Sequence, residues 1–228
     1  MNHVFGIDGC RYGWVVAEEK PRGGISIKLI ESLNYLESII NQKSIAGIDI
    51  PLAIHEKGFR MADAEARTLL KSRASTIFSA PAKEALFSNS YTDACVINES
   101  ICGKKISKQS WFLFSKIKEA RTIFCHAHKK LKLYEVHPEL SFMAMNDMKV
   151  IELGKKTDDG FKTRYKLVKK LFPKFDFEKI RANFKRGDVA DDDILDAIAV
   201  LWSTQKIIAN MASYVPKKPE TPLSKIYY

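Results

Sequence analysis

The chain has 228 residues, 46% of them hydrophobic, and a formal net charge of +10; this size and composition suit one globular domain, or one domain carrying an insertion. No apolar run approaches the roughly 18–20 residues of a membrane-spanning helix, and Met1-Asn2-His3-Val4 leads straight into a strand-like run, so the expectation is a cytoplasmic protein with no membrane partner. Four cysteines without a CxxC pair argue against a disulfide framework, and a zinc site from Cys125, His126, His128 and a distant cysteine lacks the paired-ligand spacing of structural zinc.

Three short β runs open the chain, Val4 to Asp8, Gly13 to Ala17 and Ile25 to Ile30, joined by turns at Gly9-Cys10-Arg11-Tyr12 and Pro21-Arg22-Gly23-Gly24. Ser32 reads as the cap of a helix over Leu33 to Asn41, and a fourth strand, Ile45 to Ile50, is stopped by Pro51. Three antiparallel strands, a helix and a strand that returns parallel across the sheet make a distinctive order. From Pro51 to about Lys130 the pattern turns helical and loop-like. Helices are predicted over Met61 to Ser72 and Ser110 to Lys130, with a polar stretch around Asn89 to Asn98 between them. This is longer than a crossover needs, so residues 52–130 are expected to form a helical insertion over the sheet. Leu131 to Val136 is the fifth strand. Helices follow over Thr163 to Phe172, Phe177 to Asn183 and Val189 to Ala209, the last with a core stripe of Ile194, Ile198, Leu201 and Trp202. Residues 1–210 therefore read as a single domain, and residues 211–228 as a C-terminal tail without a clear period.

Acids stand where these hydrophobic elements end. Asp8 closes Val4-Phe5-Gly6-Ile7-Asp8, Asp49 closes Ile45-Ala46-Gly47-Ile48-Asp49, and Glu135 lies in Leu133-Tyr134-Glu135-Val136-His137. An unpaired carboxylate in a low-dielectric interior is costly, so acids converging at strand ends point to a shared counter-ion, and oxygen ligands favour a divalent metal. The first and fourth strands are expected to be parallel neighbours, which brings Asp8 and Asp49 to the same carboxyl edge. Asp193 and Asp196 are three apart on one helix face. Asp188, Asp191, Asp192 and Asp193 fall in or just before the first turn, where acids cap the backbone and complement the helix dipole, whereas Asp196 lies deeper; Asp196 and Asp193 are preferred as ligands over Asp191 and Asp192. The expected metal set is Asp8, Asp49, Asp193 and Asp196, holding Mg²⁺ or Mn²⁺, with Glu135 as an outer ligand or base. His137 shares a strand face with Glu135 and reads either as its structural partner or as a substrate contact. Arg73 and Lys83 bracket the small hydroxyl residues of Ser75-Thr76-Ile77-Phe78-Ser79, which suits a phosphate; Arg11, in the first turn, completes the candidate substrate-binding set.

The charge is segregated. Between Cys102 and Lys132 nine Lys/Arg face the single acid Glu119, and between Lys155 and Arg186 twelve face four acids, so each stretch carries +8 and the remainder −6. An acidic centre flanked by basic segments is the polarity expected of a site for a nucleic acid, DNA or RNA, or another phosphate.

The motifs Gly6-Ile7-Asp8-Gly9-Cys10-Arg11-Tyr12-Gly13-Trp14, Gly47-Ile48-Asp49-Ile50-Pro51-Leu52, Phe78-Ser79-Ala80-Pro81, Tyr134-Glu135-Val136-His137-Pro138-Glu139 and Asp192-Asp193-Ile194-Leu195-Asp196-Ala197 resemble, as a set, those of domain of unknown function 429, a family of predicted ribonuclease H-like nucleases. The resemblance runs from about Val4 to Trp202. It implies an α/β fold with a ribonuclease H-like mixed five-stranded sheet flanked by helices, a helical insertion after the fourth strand, and a metal-dependent nuclease or phosphodiesterase. The closing acidic helix is similar to that of Holliday-junction resolvases, which carry a catalytic lysine soon after the glutamate strand; here the nearest candidate, Lys149, lies farther on. Alternatives are a nucleotide-binding phosphotransferase of the actin-like type, for which Gly6-Ile7-Asp8-Gly9 is the one partial phosphate loop, and a nucleic-acid-binding scaffold without catalysis.

Overall fold

The computed structural model of the protein describes residues 3–39, 44–56, 59–127 and 131–228; the alternative zinc ligands Cys125, His126 and His128 fall outside the described side chains. Strands β1 (Val4–Gly9), β2 (Trp14–Glu19) and β3 (Ile25–Ile30) pair antiparallel, and a short 3-10 turn leads into α1 (Leu36–Ile39). Strand β4 (Ser44–Ile48) then lies parallel to β1, with Gly6 opposite Gly47. The insertion holds α2 (Met61–Leu70), α3 (Lys83–Leu86), α4 (Tyr91–Cys102), α5 (Lys108–Phe112) and α6 (Phe114–Ala127). Strand β5 (Leu131–Glu135) returns parallel to β4, and α7 (Pro138–Met145), α8 (Asp158–Leu171), α9 (Phe177–Arg181) and α10 (Asp191–Ile208) follow. The result is the mixed five-stranded sheet, ordered β3-β2-β1-β4-β5 and flanked by helices, that the pattern of elements predicts. Among the described residues no helix is long and apolar enough to cross a membrane.

Three segments differ from their expected form. Helix α4 occupies much of the stretch read as a polar loop, because the Ser90 side chain accepts from the Asp93 N–H at its start and Gly103, at φ +69°, closes its end. Helix α7 was invisible to periodicity, since Leu140, Phe142 and Met143 are buried all round it. The tail is folded against the body: β6 (Tyr214–Val215) pairs antiparallel with β7 (Ile226–Tyr227), and Val215, Ile226 and Tyr228 are buried with Ala62, Leu70 and Met143.

Strand alternation divides the core. Phe5, Ile7, Trp14, Val16 and Ile48 pack toward the insertion with Ile117, whereas Val15 and Ala17 pack toward Ile194, Ile198 and Leu201 of α10. Glu119, the single acid of the first basic stretch, is spent on docking α6: it accepts from Trp14 Nε1 at 2.9 Å, Ser32 Oγ at 2.5 Å and the Leu33 N–H at 2.6 Å. On the other face α10 lies directly on the glycine pair. A Cβ at Gly6 would collide with the Leu201 nitrogen and the Ala197 carbonyl oxygen, and one at Gly47 with Thr204 Oγ1. Neither helix backbone atom can move aside alone. Gly6→Ala is therefore expected to destabilise the protein by about 3 kcal/mol or more, whereas Gly103→Ala, where a Cβ meets nothing within 4 Å, should cost only the roughly 1–2 kcal/mol of left-handed backbone; urea unfolding of the two variants measures the difference.

Candidate functional site

Parallel pairing of β1 and β4 sends both strands to one edge, where the Asp49 N–H donates to the Ile7 carbonyl at 3.0 Å. Asp8 alternates with Ile7 and so faces the α10 side. Gly6 and Gly47 let α10 approach closely enough to bring its first turns against that edge. A cavity of about 330 Å³ opens there, lined by Asp8, Asp49, Asp193 and Asp196 together with His137, Glu139, Lys116 and Lys155. All four carboxylates expected from the sequence to hold a metal thus line one cavity.

Their contacts differ. Asp8 and Asp49 lie close enough for each carboxyl group to act on the charge of the other. Asp193 Oδ2 accepts the Ala190 N–H at 2.9 Å, fastening the start of α10. Asp196 Oδ2 accepts from Lys155 Nζ at 2.5 Å, and the same ammonium lies 3.2 Å from Asp192 Oδ2. Asp196 Oδ1 is buried without a hydrogen-bond partner. Asp191 is engaged outside the cavity by Arg181 and Arg186.

Burial and mutual repulsion control the charges. Desolvation, reinforced by Asp196 and Asp49, holds Asp8 well above the ordinary carboxylate range. Asp49 is pushed up to about 8 by burial and then by Asp196. Burial raises Asp196 to about 6, against the opposing pull of Lys155. Burial alone would depress the Lys155 ammonium, but Asp196, Asp8 and Asp192 together outweigh it and keep it firmly protonated. Lys116, from α6, is lowered chiefly by burial; it donates to the Gly13 carbonyl and sits 4.4 Å from the Trp14 ring centroid. Each basic stretch of the sequence thus delivers one lysine to the acidic cavity.

Other expected residues lie elsewhere. Glu135 faces the opposite side of the sheet, because strand alternation groups it with Leu131 and Leu133 toward the insertion. There Arg60 binds it in bidentate fashion at 2.7 and 2.8 Å, and the Leu52 N–H donates to it at 2.8 Å. Arg60 also holds Asp63, whose second oxygen accepts the Ala80 N–H at 3.1 Å. Glu135 is therefore a structural anchor rather than a member of the acid cluster. Lys83 pairs at 3.1 Å with Glu56 on the surface, and Arg11 is exposed in its turn; neither lines the cavity. Arg73 reaches Glu139 at 3.5 Å, behind the cavity wall. His137 does line the cavity, with Nε2 at a long 3.4 Å from the Thr76 carbonyl and burial lowering it to about 4, so it is neutral near pH 7. Lys149 is exposed, and Lys155, six residues later, is the lysine that reaches the acids. Sequence reading missed Lys155 because its loop has no period. The signal available was its position opening the second basic stretch.

All of the acids offer carboxylate oxygens, the type that Mg²⁺ and Mn²⁺ take, and Asp196 Oδ1 has no hydrogen-bond partner. Among the described residues, however, no three His, Cys, Asp or Glu side chains are drawn together into a ready-made ligand set. The counter-charge in contact with Asp196 is Lys155.

Two outcomes are expected. Arg60→Met leaves Glu135 and Asp63 buried without their cation and should cost about 3–5 kcal/mol in urea unfolding. For the cavity, the folded protein binds protons at Asp49 and Asp196 that the unfolded chain, with ordinary carboxylate values near 4, releases. Stability in EDTA should therefore be greatest below about pH 4 as far as these groups are concerned, and fall as pH rises through about 6 and about 8. Asp49→Asn should flatten the upper part of this decline in Tm, measured against wild type from pH 5 to pH 8.5.

No curated protein and no solved structure matches the chain. One family does, described as a protein of unknown function, DUF429, whose model matches residues 6–221 and thus the chain from within β1 to beyond β6. The order of strands, the carboxylates at the β1 and β4 edge and this match agree, and the chain belongs to the DUF429 family.

Proposed function

We infer that the protein is a metal-dependent nuclease or related phosphodiesterase of ribonuclease H-like type. The observation that carries the reading is the convergence of Asp8, Asp49, Asp193 and Asp196 on one cavity at the carboxyl edge of two parallel strands, with Asp196 Oδ1 left without a partner. These four residues would hold Mg²⁺ or Mn²⁺. The ion supplies Lewis-acid stabilisation of a phosphoryl oxygen and a water made acidic enough to attack phosphorus.

The chain's own groups supply the rest. Lys116 and Lys155 place positive charge on two sides of the cavity, suited to a phosphate diester between them. Neutral His137 adds no competing cation near the acids. The insertion carries lysines beside exposed aromatic rings, with the half-buried Lys118 5.6 Å from the centroid of Phe87 and the exposed Lys104 5.3 Å from that of Phe59. Such pairs suit a partner that combines phosphate charge with flat bases, and so favour nucleic acid over a small phosphoester. Phosphate contacts of this kind position a strand without reading its sequence.

The test is cleavage of labelled DNA, RNA, hybrid and branched substrates with Mg²⁺, Mn²⁺ or EDTA, comparing wild type with Asp8→Asn and Asp196→Asn purified identically. Metal-dependent cleavage should fall by about a hundredfold or more in both variants, and the cleaved member of the panel names the substrate class. Absence of cleavage by wild type, with equal and salt-sensitive binding by all three proteins, would leave a nucleic-acid-binding scaffold in its place.

A further inference from the structure

We propose that Lys155 is a built-in competitor for the divalent ion: its ammonium holds Asp196 in the metal-free protein and yields to the ion by moving onto Asp192. The inference rests on the carboxylate-metal reading above. Lys155 Nζ stands 2.5 Å from Asp196 Oδ2, so its charge already sits on the carboxylate that a divalent ion would need. An ammonium and a divalent ion drawn to one carboxylate repel each other. The other oxygen, Asp196 Oδ1, is buried without a partner, so the ammonium leaves half of the carboxylate's capacity unused.

Lys155 also has somewhere to go. It lines the acidic cavity and, on its other side, a second cavity of about 410 Å³ that Asp192 lines as well. At 3.2 Å, Asp192 Oδ2 already touches the ammonium and offers it an anchor outside the acid cluster. The backbone beneath it is pinned. Arg164 donates to the Leu153 carbonyl at 3.0 Å and to both oxygens of Glu139, which fixes the loop two residues before Lys155. The exchange therefore belongs to the flexible lysine side chain, not to the loop. Lys116, the other cation of the cavity, is held by the Gly13 carbonyl and the Trp14 ring and does not compete in this way.

The experiment is calorimetric titration of Mn²⁺ into the full chain, without nucleic acid, for wild type, Lys155→Met, Lys155→Gln, Lys155→Arg, Lys156→Met and Asp196→Asn. The Met and Gln variants should bind Mn²⁺ about tenfold or more tighter than wild type. Lys155→Arg keeps the competing charge, and Lys156→Met removes only an exposed one, so both should stay within about twofold of wild type. Using two neutral variants of different polarity keeps the result readable if one folds poorly. Equal or weaker binding by Lys155→Met and Lys155→Gln, with Asp196→Asn abolishing wild-type binding, overturns the competition and leaves the metal site standing. A gain in Lys156→Met as large as in Lys155→Met also overturns it, since charge alone then explains the effect. No Mn²⁺ binding by any of these proteins overturns the competition together with the metal reading.

Discussion

The contact on which the rest depends is that of α10 with the glycine pair of β1 and β4. Parallel strands bring Gly6 and Gly47 side by side, and the absence of a Cβ at both lets the helix backbone at Ala197 and Leu201 rest on the sheet itself. A helix one side chain farther away would leave Asp196 out of reach of the strand edge. Close packing of an apolar helix here does two things at once: it buries Ile194, Ile198 and Leu201 in the core and draws the acidic first turns of α10 over Asp8 and Asp49. The energy that builds the core is what overcomes the repulsion among the acids.

The two faces of the sheet handle buried charge differently. Toward the insertion, Glu135 and Asp63 meet Arg60, and every oxygen of the pair has a donor in good geometry. That network ties the insertion to β5 and leaves no spare ligand capacity. Toward α10, four acids line a cavity with Lys155 bridging Asp196 and Asp192, one oxygen unpartnered, and carboxyl groups raised toward neutrality. A satisfied network serves the fold, whereas an unsatisfied and electrostatically strained one marks a place for a ligand. The contrast between the faces locates the site more sharply than the mere presence of acids does.

The insertion and the loop before α8 contribute from outside the sheet. Glu119 docks α6 so that Lys116 enters the cavity, and Arg164 with Glu139 holds the loop that carries Lys155. Both lysines come from the basic stretches of the chain. The segregation of charge in the sequence is therefore resolved in space as a narrow interleaving: acids from strand ends and a helix start, cations from the elements that cover them.

Much of this was legible in the sequence, and the reason is local. Period-two apolar runs with turns between them marked five strands, and the i, i+4 stripe from Ile194 to Trp202 marked α10, because each pattern reflects one element's own exposure to core and solvent. Asp8 and Asp49 stood out because each ends an apolar strand, and Asp193 and Asp196 because they share one face in the first turns of the apolar helix α10. The same alternation that identified β5 also implied that Glu135 faces away from Asp8, but only the packed structure supplies Arg60 to show what that face holds. Helix α7, buried on all sides, and the tail, ordered by its pairing with Val136, carry no period that reports their surroundings. Lys155 lay in a loop whose course is set by Arg164, a residue of the next helix. Local chemistry, in short, is written along the chain, and the partner of each buried charge is decided by which distant segment folds against it.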